Sequence, residues 1–244
     1  MKKGEMENIA GSTPMTNSRD AILANIRQAL AAARLPTPPA VSLPSAAGDL
    51  PFAVSLADRF AAELKHLSGT TLSTRPQDVP ELLLELVTAR NADTVLAWNE
   101  EHLAVPDALS SLRRAGIRIE SGELPRDAGR TEALRANERI RVGITGVDAA
   151  LAETGTLVVM AGPGKPRLAY MSVRTHIALI RMEQLHPSLA AWLAACPDLA
   201  DGLRNRSALT FISGPSRTAD IEMTLTVGVH GPAEVIAVMI RDDG

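Results

Sequence analysis

The sequence predicts an α/β fold in three layers, built on a mostly parallel sheet, with a helical arm at the N-terminus. Three observations lead there. Short apolar runs alternate with stretches of helical spacing along most of the chain, the pattern of repeated strand–helix–strand units. Four of those runs (residues 156–160, 177–180, 208–212 and 235–240) are continuously apolar, as strands covered on both faces require. Aromatic residues make up only 2% of the 244, so the core must be built from Ala, Leu, Val and Ile.

Residues 1–17 are polar, have no apolar stretch of the kind a secretory leader carries, and read as a disordered tail. Residues 18–51 form a helix and a linker. Ile22, Leu23, Ile26, Leu30 and Ala33 share one helical face, with Ser18 as a cap and Asp20 in the first turn. Pro36, Pro38, Pro39, Pro44 and Pro51 then stiffen the connection, so the helix is an arm that docks on its own domain or on a second subunit. The α/β domain proper is residues 52–244.

Within it, residues 52–67 predict a helix and 70–73 a strand. Asp78 with Glu81 resembles a capping pair ahead of a helix through Val87. Residues 93–98 are a strand, 107–115 a helix, 117–119 a strand and 139–145 a strand. A helical turn is expected over residues 148–151. Residues 161–167 read as a turn between two strands, and a further helical turn is expected after Ser216 or Thr218.

Several functions are excluded by what is missing. A net charge of −3 leaves no footprint for nucleic acid, and no apolar run reaches the roughly 20 residues of a membrane span. The single cysteine, Cys196, allows neither a disulfide nor an iron–sulfur cluster held by this chain alone, and suits a cytoplasmic setting. His66, His102, His176, His186 and His230 lack zinc-hydrolase spacing, so no metal site is expected. Gly162-Pro163-Gly164-Lys165-Pro166 is not a phosphate loop, because proline stands where a hydroxyl must hold magnesium, though Lys165 and Arg167 suit an anion. No dinucleotide fingerprint follows a strand.

Two polar segments carry the candidate chemistry. In the first, Thr145 and Asp148 stand at a strand end, where open α/β sheets bind ligands; Asp148 also suits a helix cap. Glu153, followed by Thr154 and Gly155, enters a strand expected to be buried, where a carboxylate needs a partner or a ligand. It is the candidate base or nucleophile; the alternative is a carboxylate at an exposed turn. In the second, Ser213, Gly214, Ser216, Arg217, Thr218, Asp220 and Glu222 offer hydroxyls, backbone N–H groups, a guanidinium and carboxylates. That set suits a small carboxylate or phosphate-like anion at a helix start; the alternative is a loop that ties sheet elements together. His230, in Gly228-Val229-His230-Gly231-Pro232, is a candidate acid/base group. The strand-end argument places Glu153 and Arg217 in one pocket.

Gly143-Ile144-Thr145 with Ala152-Glu153-Thr154-Gly155-Thr156, then residues 213–222, then Gly228 to Pro232, resemble the LUD-domain family. The start, Ser18-Arg19-Asp20-Ala21-Ile22-Leu23, resembles it too, and the likeness runs from about Ser18 to Arg241. It implies a fold similar to the sugar-phosphate isomerase and CoA-transferase superfamily. It also implies a role in oxidising L-lactate to pyruvate alongside iron–sulfur lactate utilization proteins, with the clusters on those partners and no cofactor on this chain alone. Larger members carry cysteine motifs that this chain lacks. The alternative is a CoA-transferase-like or sugar-phosphate-isomerase-like enzyme using Glu153, since Glu-Thr-Gly resembles the glutamate loop of CoA-transferases. A homo-oligomer remains open.

Overall fold

The computed structural model describes residues 18–33, 55–125, 127–219, 225–228 and 230–241. The expected tail, the proline-rich linker, Asp220 and Glu222 lie outside them. The chain divides into two units, residues 1–42 and 43–244. In the first, α1 (Ser18–Ala32) occupies the helical stretch, with Asp20 in its first turn.

The second unit opens with α2 (Leu56–His66), β1 (Thr70–Thr74), α3 (Val79–Thr88), β2 (Thr94–Ala97), α4 (Ser110–Arg114), β3 (Arg118–Glu120) and α5 (Arg130–Asn137). Then come β4 (Val142–Gly146), β5 (Ala149–Leu151), β6 (Thr156–Ala161), α6 (Leu168–Met171), β7 (Thr175–Arg181) and β8 (Leu185–His186). It closes with α7 (Leu189–Ala195), α8 (Leu199–Leu203), β9 (Ala208–Ile212), β10 (Arg217–Ala219), β11 (Leu225–Val227) and β12 (Glu234–Ile240).

Six strands form one sheet in the order β1-β12-β7-β4-β2-β3, every neighbouring pair parallel. The mostly parallel α/β class is therefore the observed one. β2 and β4 are buried along their whole length, and β7 and β12 nearly so, which is why these runs are mainly aliphatic. α2 starts where Ser55 Oγ accepts the Asp58 N–H at 3.1 Å, and it buries Ala57, Phe60 and Leu64. α6 lies so close on β4 that a Cβ at Gly143 would stand 1.8 Å from the Ala169 carbonyl oxygen. No helix of the described residues is long and apolar enough to cross a membrane.

A second sheet, β8-β5-β6-β9, was not legible as such. The expected helical turn over 148–151 is strand β5 instead. The Asp148 N–H reaches the Val158 carbonyl at 2.8 Å, and Ala149, Ala150 and Leu151 pair antiparallel with β6. Cross-strand pairing overrides the helical preference of Ala-Ala-Leu. A small core of Ala149, Leu151, Val158 and Trp192 fills this sheet beneath α7.

Three local expectations also change. The Asp78–Glu81 cap does not form. The chain enters α3 through a 3-10 turn, so Asp78 already has helical dihedrals rather than the extended ones a cap needs. Asp78 pairs with Arg75, and Glu81 accepts from Ser111 at 2.8 Å and pairs with Arg114. The predicted helix over 107–115 shortens to α4, because Asp107 takes a left-handed φ of 55°. The glycine–proline turn at 162–165 joins β6 to helix α6 rather than to another strand.

Candidate functional site

The polar segments chosen from sequence meet along the C-terminal end of α2. Antiparallel pairing of β6 with β9 sets Leu157 opposite Ile212, and this brings the residues just outside both strands together. Thr154 Oγ1 bonds to Thr156 Oγ1 at 2.8 Å, and Thr156 Oγ1 bonds to Ser213 Oγ at 2.7 Å. Thr156 is buried while Thr154 and Ser213 are exposed, so the three hydroxyls form a row with both ends open.

Two glycines let the row approach the helix. Gly155 has φ 58°, and a Cβ there would stand 2.3 Å from Leu64 N. Gly214 has φ 80°, and a Cβ there would stand 2.7 Å from the Leu67 carbonyl oxygen. Only glycine meets both demands at each position.

Arg217 continues the line. Its Nη2 donates to the Leu67 carbonyl at 2.6 Å and to Ser68 Oγ at 2.8 Å, at the end of α2 where a cation is favoured. Its Nε and Nη1 have no partner among the described residues. Ser216 bridges to the third segment: its N–H reaches the Pro232 carbonyl, and its carbonyl accepts from Gly228 N–H, both at 2.8 Å. The chain through Arg217 and Thr218 is strand β10, paired antiparallel with β11. The expected helix start is therefore absent, because the ladder to β11 takes up backbone groups that a helix N-terminus would leave free. His230 is exposed and shares a shallow cleft with Ser172 and Arg174.

Glu153 and Arg217 are anchored on different elements. Glu153 sits half-buried in the tight β5–β6 turn, and its Oε1 accepts the Leu189 N–H at 3.0 Å, at the start of α7. The carboxylate has found its partner in a helix N-terminus. Glu153→Ala is expected to cost about 1 kcal/mol, the usual size of a lost N-terminal cap, read as a shift in the urea midpoint. An unchanged midpoint would show that this anchor carries no stability.

The strand-end residues of the first segment turn inward. Thr145 is fully buried and its Oγ1 lies 2.8 Å from His176 Nε2. His176 is itself fully buried on β7, and burial pushes its pKa down to about 3. Asp148 uses both oxygens inside the protein: Oδ1 pairs with Lys165 Nζ at 2.5 Å, and Oδ2 accepts the Met160 N–H at 2.6 Å. The Lys165 ammonium lies 4.6 Å over the Trp98 ring. Burial lowers the Lys165 pKa, outweighing the opposite pull of Asp148. The crevice outside the carboxyl ends of β2 and β4 is thus filled by the chain's own 162–165 turn, which also bonds to Asn99 N–H at 2.9 Å. Sequence reasoning missed this cluster because its members, Trp98, Asp148 and Lys165, are far apart in the chain. An open strand-end cavity of about 660 Å³ does lie beyond β1, β7 and β12, lined in part by Ser55, Arg181 and Arg241. None of the residues predicted from sequence lines it. Among the described residues, no three His, Cys, Asp or Glu side chains gather as metal ligands would.

Comparison with known proteins agrees with this architecture. The family model for the LUD domain matches residues 57–240. The chain is 43% identical over 117 residues to lactate utilization protein C of an Exiguobacterium species, a match spanning 48% of this chain and 49% of that one. It is 30% identical over 190 residues to lactate utilization protein C of a Geobacillus species, spanning 77% and 78%. A solved DUF162 family protein from Deinococcus radiodurans shares the fold, with a TM-score of 0.54 and 16% identity, over 77% of this chain and 99% of that one.

Proposed function

The chain belongs to the LUD domain family, and from that premise we propose that it serves lactate utilization as a subunit that binds a small carboxylate and leaves the electrons to iron–sulfur partner proteins. The names of its relatives supply the pathway. The observation that carries the binding role is the open hydroxyl row of Thr154, Thr156 and Ser213, in the same surface strip as an arginine with two nitrogens that have no partner among the described residues. Hydroxyl donors and a guanidinium are the groups that recognise a carboxylate.

The division of labour follows from chemistry. Oxidising L-lactate to pyruvate releases two electrons and two protons, and the electrons need an acceptor. Cys196, the single cysteine, cannot hold a cluster alone. In this reading the chain holds and orients the carboxylate, and the partners provide the redox centre.

Two measurements test it. Calorimetric titration with L-lactate and with pyruvate is expected to show binding that Arg217→Ala weakens by about tenfold or more, with stability lowered by only about 1 kcal/mol. Equal affinity in the variant would remove Arg217 from the site. Purified chain incubated with L-lactate is expected to form no pyruvate; pyruvate production by the colourless protein alone would overturn the division of labour.

A further inference from the structure

On the other side of the 162–165 turn lies a groove of about 980 Å³. Arg130 from α5, Arg167 before α6, and Arg204 and Arg206 before β9 line it, against a single acid, Glu123. Glu123 is already engaged, accepting the Gly164 N–H at 2.9 Å. Arg204 pairs with Asp201 at 3.0 Å. Arg130, Arg167 and Arg206 have no side-chain partner among the described residues. Three uncompensated guanidiniums from three separate segments thus converge on one concavity, in a chain whose net charge is −3.

Apart from Asn205 and Ser207, the rest of the lining is glycine, proline and apolar side chains. Leu134 and Leu168 are half-buried, and Met171 is 46% exposed. A volume of this size is at the top of the range for small-molecule sites. A three-carbon acid would leave most of it empty and could not engage three arginines. Planar guanidinium forks match phosphate oxygens in pairs, while the leucines and methionine match an apolar or aromatic body.

The geometry points to a second ligand site here, for an organic phosphate of nucleotide size carrying at least two phosphoryl groups. It is separate from the carboxylate site at Arg217, and neither proposal depends on the other.

The probes are ADP, inorganic pyrophosphate and adenosine, titrated into the full chain at about 0.15 M salt, where unspecific charge attraction is screened. ADP is expected to bind with Kd below about 1 mM, pyrophosphate more weakly and adenosine not at all. The double variant Arg167→Glu with Arg206→Glu is expected to weaken ADP binding by at least about tenfold without moving the melting temperature. If that variant does not fold, Arg167→Gln with Arg206→Gln is read in the same way. No ADP binding, or binding that survives in a folded variant, would overturn the proposal. So would an oligoglutamate peptide displacing ADP at lower concentration than pyrophosphate does, which would make the groove a protein docking surface. L-lactate titration of the same variants is expected to be unchanged.

Discussion

Lys165→Met is expected to cost the fold about 3 to 5 kcal/mol. The side chains of Lys165 and Asp148 are 6% and 14% exposed, so removing the ammonium leaves a buried carboxylate with one remaining donor, the Met160 N–H. It also removes the cation over Trp98. Desolvation opposes the attraction within a buried pair, and burial is the largest cause of the lowered Lys165 pKa. The penalty comes from breaking one half. Adding Asp148→Asn to Lys165→Met is therefore expected to recover part of the loss, because the stranded charge disappears. Urea unfolding of the two singles and the double gives the coupling energy. A single-variant loss below about 1 kcal/mol would mean that water reaches Asp148. In a chain of this size the expected loss corresponds to a fall in Tm on the order of 10 °C.

The second large effect is a dependence on acid. His176 is neutral in the folded chain, with its pKa depressed by burial from 6.5 to about 3. The unfolded chain takes up a proton below pH 6.5 that the folded chain refuses. The stability tied to this histidine is therefore complete above pH 6.5 and erodes as pH falls toward 3, by roughly 5 kcal/mol over the whole window. Between pH 7 and pH 4.5 roughly 3 kcal/mol of it is lost. His176→Gln cannot titrate, so its unfolding free energy is expected to fall by that much less over the same interval. Parallel pH profiles for the two proteins would refute the assignment. Among the described residues His176 Nδ1 has no hydrogen-bond partner, and burial is the cause of the lowered pKa.

The parallel sheet was legible because its central strands are written in β-branched and aliphatic residues, such as Thr-Val-Leu-Ala in β2 and Glu-Val-Ile-Ala-Val-Met-Ile in β12. The second sheet was not. β5 is Ala-Ala-Leu, which favours a helix in isolation and is made a strand by its neighbours on both sides. α5, Arg-Thr-Glu-Ala-Leu-Arg-Ala-Asn, lacks an apolar stripe and buries only Asn137, so periodicity had nothing to detect. The candidate site was half legible. The polar segments were legible as punctuation around strands, and Thr156 and Ser213, from two of them, lie side by side. What residue type could not show was direction. Thr145 and Asp148 face the interior, and Glu153 faces α7, because those choices depend on a sheet and helix that come later in the chain.

The chain's two tryptophans are buried in different cores: Trp98 in the large one packed on the parallel sheet, with Val95, Leu96, Ile144 and Ile177, and Trp192 in the small one under α7. Each sheet therefore carries its own fluorophore. Trp98→Phe leaves emission from the smaller sheet alone, and Trp192→Phe leaves emission from the parallel sheet alone. Denaturation curves of the two variants, each set against far-ultraviolet circular dichroism, report whether the sheets melt as one cooperative unit or in sequence. No external dye or label is needed to ask it.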